Sequence, residues 1–540
     1  MLKELTQEQK NQIEETIRSL SFDEKVGQMV CEEYVYIKEK NPADVNAWMK
    51  KYPIGSLYIG NEVIDTDNMT EAAIRKQVSD IQNVSRVPLV LLSDFEQGVG
   101  GQLDDAAYTW FPESMAIAAT GDPKNAYEAG RITAEEAASL NVHWTLADVT
   151  DLVLNRDNPI TGIRSYGDDP DRNIPFFTAH IRGLQEHNCA ACAKHFPGDG
   201  IDTRNQHLVT SFNPLTKEEW MKSYGKVWKA AIDEGVMSIM VGHIAMPALE
   251  PIDPVTQKYR PATASKLIMT DLLRGELGFK GMITTDALGM NGFCSWADYD
   301  TRMLDAFNAG ADVFEWPDTE RFFDLMHRAN AEGKISMERL DDAVRHVLEF
   351  KARLNLTAKP YCNPADKALA DKMAADAVTL LRNTGNGIPL QRKDGAKYYV
   401  LSTPSHPRTL EVADPFIQAL SAYGTVETAL LEKMDSRKMA DADAVFLINL
   451  GRMRYGDYRG MHPNIWPFMK DEKVRKRIVI GMANPFFLYD VPTCDAYIAT
   501  WSIQPAGQKE AVKAIFGESV CRGTSPINIE GYVKRGQKIS

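Results

Sequence analysis

No stretch of about 18 consecutive apolar residues occurs in the 540-residue chain, so no segment of it reads as a transmembrane helix. Positive charge is in deficit: 61 Lys and Arg face 74 Asp and Glu, and the formal net charge of −13 repels phosphate backbones and anionic lipid surfaces. Neither nucleic acid nor a membrane is therefore expected as a partner. Cysteine is sparse, and the seven residues (31, 189, 192, 294, 362, 494 and 521) are an odd, scattered set that argues against a disulfide framework. Cys189 and Cys192 form a C-A-A-C, but no second ligand pair accompanies it, and CAACAKHF reads as a buried strand of small residues with a structural role. The N-terminal MLKELTQEQKNQIEETIRSL is a charged amphipathic helix without the apolar core of a secretion signal, which leads to the expectation of a cytoplasmic protein. Internal repeats and low-complexity tracts are lacking too.

What is present is ordinary globular material, 44% apolar and 25% charged, in a chain too long for one compact core. Between about residues 20 and 330, short apolar runs alternate with helical patterns, the mark of repeated βα units. The runs lie at 25–34, 54–60, 87–94, 142–149, 189–196, 236–244, 281–288 and 311–316, with helix-like stretches such as 72–82 between them. Eight such strands predict a closed (β/α)₈ TIM-like barrel. Residues 336–356 read as one helix with Ser336 as N-cap and Glu338 in its first turn. The Pro/Asn-containing 356–367 reads as a linker between a barrel domain over 1–355 and a smaller α/β sandwich over 368–540, with strands at 398–402, 444–450, 477–483 and 496–501.

In a (β/α)₈ barrel the active site forms at the C-terminal ends of the strands, so polar residues there are candidates on geometry alone. The third strand ends in Asp94 and Glu96, the fifth in Lys194 and His195, the sixth in His243 and the seventh in Asp286. A bare Asp at a strand end is commonly a helix cap, and a lone histidine in a polar loop, such as His207, is commonly a surface residue. Asp286, however, follows GMITT, which is too apolar to expose a carboxylate except at its tip.

GFKGMITTDALGM (278–290), KHFPGDGIDTRNQH (194–207), NPITGIRSYGDDP (158–170) and SDFEQG (93–98), with VTLLRNTGNGIPL (378–390) and AIFGE (514–518) further on, are together similar to glycoside hydrolase family 3. The likeness runs through both domains and is closest to the β-N-acetylglucosaminidase branch. It implies a retaining exo-acting hydrolase that removes a terminal β-linked N-acetylglucosamine or related hexose through a covalent glycosyl-enzyme intermediate. Asp286 would be the nucleophile. In this branch the acid/base is a His on the loop after the fifth strand, a place held here by His207, and an imidazole with an ordinary pKa near 6.5 can both give and take a proton near neutrality. Asp94, Arg164, Lys194 and His195 would bind sugar hydroxyls, with His243 and Asp168 behind them.

Two departures from the branch stand out. Asn205 occupies the position of an Asp that orients and charges the imidazole, so either the histidine works with a lowered pKa or Asp199 or Asp202 substitutes. Gln97, Gly98 and Val99 replace two glycines and an arginine, which alters the pocket rim. No cofactor or metal is expected, the partner is a carbohydrate, and a monomer or homodimer is expected. The alternatives are a β-glucosidase or β-xylosidase of the same family with a Glu from the second domain (Glu472, Glu510 or the 454–466 loop), a phosphorylase, a non-catalytic sugar-binding relative, or a metal-dependent barrel hydrolase using His143, His195, His207 and His243 with Asp286. The last is disfavoured because the first strand carries no His. Trp144, Tyr166, Phe196 and Trp316 are aromatic candidates for sugar stacking.

Overall fold

A computed structural model describes residues 2–40, 44–59, 84–103, 107–254, 256–356, 365–403, 409–450 and 465–539. The expected helix at 72–82, most of the linker 356–367 and all but the end of the 454–466 loop lie outside the described residues. The chain divides into two compact units, one of residues 1–109, 127–151 and 177–363, the other of residues 110–126, 152–176 and 364–540.

The first unit is built on eight parallel strands: β1 (Val30–Glu33), β2 (Ser56–Tyr58), β3 (Val90–Ser93), β4 (Val142–Thr145), β5 (Ala190–Phe196), β6 (Ser238–Val241), β7 (Met282–Thr285) and β8 (Phe314–Glu315). They pair in the order β8-β1-β2-β3-β4-β5-β6-β7. A bridge between Thr284 and Val313 brings β7 back to β8, with the Thr285 amide donating to the Val313 carbonyl at 3.0 Å, so the sheet closes on itself. Strands buried on both faces favour apolar or small side chains, and all seven residues of β5, AACAKHF, are buried, with Lys194 and His195 near its end held by carboxylates. Cys192 packs in the barrel core with Val90, Leu92, Trp144, Met240 and Met282. Burial pushes the Cys189 thiol up to about 12 and Cys192 higher still, which removes thiolate chemistry from the C-A-A-C. The Trp144 indole donates to the Ser238 hydroxyl at 2.9 Å and its ring meets Phe350 edge-on at 5.2 Å. A side chain so enclosed contributes on the order of 2–3 kcal/mol through burial alone.

The expected strand at 25–34 is shorter than its apolar run. Ser21 and Glu24 form a capping box that starts a helix over Phe22–Gln28, leaving only Val30–Glu33 to pair. The helix Met337–Ala352 has the Ser336 hydroxyl accepting from the Arg339 amide at 3.0 Å and lays Val347 and Phe350 against the barrel core.

The second unit holds a six-stranded sheet: β9 (Thr379–Asn383), β10 (Lys397–Ser402), β11 (Thr425–Leu430), β12 (Ala444–Asn449), β13 (Arg477–Gly481) and β14 (Ala496–Ala499), in the order β9-β14-β13-β12-β10-β11. Only the β9–β14 pair is antiparallel. Alternation along the strands sends Tyr399, Leu401, Val445, Leu447 and Val479 into one apolar layer and Tyr398, Val400, Phe446, Ile448 and Ile478 into another, as the two-residue period of a strand dictates. The first layer also takes Met115, Ala116, Val153 and Ile163, which explains why 110–126 and 152–176 group with the C-terminal residues although they fall between barrel strands in the chain. Among the described residues no helix is long and apolar enough to cross a membrane.

Candidate active site

The backbone amide of Asp286 donates to the Val241 carbonyl at 3.0 Å, so the pairing of β7 with β6 delivers its side chain to the C-terminal rim. One carboxylate oxygen accepts from the Ala287 amide at 2.7 Å. The next helix begins at Asn291 with Met290 in the cap position, so Asp286 is not a helix cap. Burial pushes its carboxyl up, but the charges of His195 and His243, the Ala287 amide and the charge of His207 outweigh that, and the group lies below the usual carboxylate range. The result is a stable anion surrounded by imidazoles.

Strand β5 carries the next two groups. The Lys194 ammonium bridges Asp94 at 2.7 Å and Glu96 at 2.8 Å, and the Tyr58 hydroxyl donates to the other Asp94 oxygen at 3.5 Å. The Asp94 side chain is 33% exposed against 4% for Lys194, so the carboxylate is the accessible end of that pair. His195 is held by Asp151, which accepts from its Nδ1 at 2.8 Å and its backbone amide at 3.2 Å, and from the Asp199 amide at 2.7 Å. One buried carboxylate thus orients a ring and pins the start of the following loop.

That loop carries His207. Asn205 Oδ1 accepts from both the His207 amide (2.9 Å) and Nδ1 (2.8 Å). A backbone amide can only donate, so the side-chain oxygen faces the ring and Nδ1 carries the proton, which assigns proton transfer to Nε2. Asn205 therefore fills the orienting position. Asp202 pairs with Arg204 at 2.8 Å and accepts from the Phe212 amide at 2.7 Å, while Asp199 accepts from the Gly200 amide (2.6 Å) and the Gln206 side chain (3.4 Å). The loop is fastened to the segment after Asp286: the Asn291 amide donates to the His207 carbonyl at 3.1 Å, the Gly292 amide to the Gln206 carbonyl at 3.0 Å, and the Thr210 hydroxyl to the Gly292 carbonyl at 2.7 Å. Because an amide orients the imidazole without stabilising its cation, Asn205→Asp is expected to move the alkaline limb of kcat/KM to higher pH by about one unit. A pH profile unchanged by this substitution would remove Asn205 from the account.

His243 closes the floor. Its amide donates to the Gln206 side-chain oxygen at 2.9 Å, Nδ1 meets the Thr263 hydroxyl at 2.8 Å and Nε2 the Ala287 carbonyl at 3.0 Å. Burial holds this histidine below its ordinary pKa even though Asp286 opposes the shift. With both ring nitrogens engaged it is unsuited to bind a metal, and among the described residues no group of three or more His, Cys, Asp or Glu side chains could hold one.

Three groups escaped the sequence reading. Asp151, two residues past the fourth apolar run, and Gln206, beside His207, are buried and hold the site together. Glu315, on β8, accepts from the Thr284 hydroxyl at 2.9 Å. Burial, reinforced by the charge of Asp286, drives its carboxyl well above the usual range. Arg164 and Asp168 belong to the second unit, where Arg164 donates to the Ile160 carbonyl at 3.4 Å and Asp168 pairs with Arg535 at 2.6 Å. Of the aromatic candidates, Trp144, Phe196 and Tyr166 are core residues: Phe196 packs edge-on to Trp220 and Trp228, and Tyr166 stacks on Phe176. Only Trp316 remains partly exposed, at a positive φ of 56° just past β8 and edge-on to Tyr58 at 5.4 Å. In the second unit Glu510 is engaged by Arg522 (3.3 Å) and Lys513 (3.5 Å).

A partly exposed carboxylate for hydroxyls, an ionised Asp and an oriented imidazole along one barrel rim suit the cleavage of an acetal, and the class of protein is that of the barrel glycoside hydrolases. Residues 21–350 match the glycosyl hydrolase family 3 N-terminal domain, and the chain belongs to that family. A relative from Cellulomonas fimi, a β-N-acetylglucosaminidase/β-glucosidase, is 28% identical over 551 residues that cover 95% of this chain and 94% of its own. β-Hexosaminidase A of Pseudoalteromonas piscicida is 26% identical over 411 residues, 71% of this chain and 67% of that one. The solved structure of the β-glucoside phosphorylase BglX superposes with a TM-score of 0.85 at 27% identity, covering 97% of both chains.

Proposed function

We propose that the chain is a retaining exo-glycosidase that releases a terminal β-linked N-acetylglucosamine or related hexose, with Asp286 as nucleophile and His207 as acid/base. The observation that carries the reading is the Asp286 carboxylate, kept ionised by His195, His243 and the Ala287 amide, with His207 on a loop fastened to the segment that follows it. A carboxylate oxygen of Asp286 attacks the anomeric carbon as the glycosidic C–O bond breaks, and the His207 Nε2 proton passes to the departing oxygen. Water then gives a proton back to Nε2 as its oxygen displaces Asp286. Two inversions leave the anomeric configuration unchanged. Asp94, Lys194 and His195 hold the hydroxyls, and Arg164 is assigned to the same role by family resemblance. The names of the Cellulomonas and Pseudoalteromonas relatives support the N-acetylhexosaminide. A cytoplasmic monomer or homodimer belongs to the same proposal.

A second reading is phosphorolysis, in which inorganic phosphate replaces water and leaves as a sugar 1-phosphate. Asn205 favours it, because a neutral amide beside His207 repels an incoming phosphate less than a carboxylate would, and the likeness to BglX points the same way. Turnover of nitrophenyl N-acetyl-β-glucosaminide, β-glucoside and β-xyloside, each with and without phosphate, separates the readings. Free sugar as product at a phosphate-independent rate is the expected result, and preference for the glucoside or xyloside would overturn the N-acetylglucosamine assignment.

A further inference from the structure

Within the second unit, residues 153–156, the turn around 486–489 and the C-terminal residues 528–535 border an open cavity of about 680 Å³. That is inside the ~300–1,000 Å³ range of small-molecule sites. One wall is the Tyr489 ring, stacked on Phe486 (6.3 Å, 10°) and braced edge-on by Tyr532 (5.9 Å, 73°), with the Arg156 guanidinium over it at 5.4 Å. The facing groups are planar and polar. Asp168 accepts from the Asn528 amide at 2.9 Å and pairs with Arg535 at 2.6 Å, and Arg535 is clamped a second time by Asp169 at 2.8 Å. Glu530 also lines the space.

This composition selects among ligand classes. The partly exposed Tyr489 ring offers apolar contact to the C–H side of a pyranose, while the exposed Arg156 guanidinium and Glu530 carboxylate offer a donor and an acceptor to neighbouring hydroxyls. An anionic ligand is disfavoured, since Arg535 is already spent on Asp168 and Asp169, and Glu530 and Asp157 add negative charge around Arg156. We propose that this cavity is an accessory binding site for a neutral oligosaccharide, recruiting longer chains while taking no part in bond cleavage. The proposal rests on the chain acting on carbohydrate, and its test separates the two.

The full chain carrying Asp286→Ala, which holds sugar without turnover, is titrated calorimetrically with a β-1,4-linked N-acetylglucosamine tetramer and with cellotetraose. Two binding sites per chain are expected for at least one of them. Adding Tyr489→Ala is expected to weaken one site by about tenfold or more, and Arg156→Ala, at an exposed side chain that spares the fold, by about threefold or more. Tyr489→Phe, which keeps the ring, should retain binding. In the otherwise native enzyme, Tyr489→Ala and Arg156→Ala are expected to leave nitrophenyl glycoside turnover within twofold while lowering kcat/KM on the tetramer. A single site per chain, or a second site indifferent to both substitutions, overturns the proposal, as does sulfate binding abolished by Arg156→Ala with no second tetramer site. A Tyr489-dependent site in a protein that turns over none of the nitrophenyl glycosides would uphold this inference and sink the proposed catalytic function.

Discussion

Asp286→Ala is expected to lower kcat/KM on an aryl N-acetyl-β-glucosaminide by about 10⁴-fold or more, close to 5.5 kcal/mol of transition-state stabilisation. The magnitude follows from removing the group that makes the covalent bond and supplies the anion opposite a developing oxocarbenium charge. Azide admitted to the vacated space should restore part of the turnover. A single displacement would then turn a β-glycoside into an α-glycosyl azide, an inverted product that identifies residue 286 as the one attacking carbon. Since the surrounding imidazoles hold this carboxyl below its usual range, the native enzyme should not lose kcat/KM through its protonation until pH falls beneath about 3.9. Retention of more than one hundredth of native activity by the alanine variant would refute the assignment.

His207→Ala is expected to act unevenly. With alkyl or sugar leaving groups, which need a proton, the loss should reach about 10² to 10⁴-fold, the usual worth of a positioned general acid. With a dinitrophenyl leaving group the first step needs little help, so it should slow by no more than about tenfold. Deglycosylation then becomes limiting and a burst of phenolate should precede the steady state. The alkaline limb of kcat/KM should vanish with the imidazole. A loss of equal size for good and poor leaving groups would reduce His207 to a positioning role.

The elements most legible in the sequence were those repeated by the architecture. A strand buried on both faces leaves an apolar run, and a barrel sends every polar residue that ends such a run to one rim, which is how Asp94, Lys194, His195, His243 and Asp286 could be picked out. Where a local signal competed, the pattern misled: the Ser21–Glu24 capping box drew residues 25–28 of the apolar run 25–34 into a helix. Edge strand β11, with Glu427 and a mostly exposed face, has too weak an alternation to be seen. Ring size alone could not tell stacking platforms from core, so Trp144 and Phe196 were candidates until their burial was known. Asp151 and Gln206 were illegible for a different reason. A buried polar side chain is tolerable only with its partners in place, and those partners come from other strands and loops.

Gly292 gives this arrangement a further meaning. A methyl group built there would sit 2.4 Å from the Gln206 carbonyl oxygen and 3.1 Å from the His243 side chain, so even alanine would wedge the two segments apart. The reacting carboxylate and the proton carrier are riveted into a single frame, and drift in one segment must be answered in the other. The departure at Gln97–Val99 lies elsewhere, after a different strand. A lineage could retailor which sugar it accepts there while inheriting its cleavage chemistry intact.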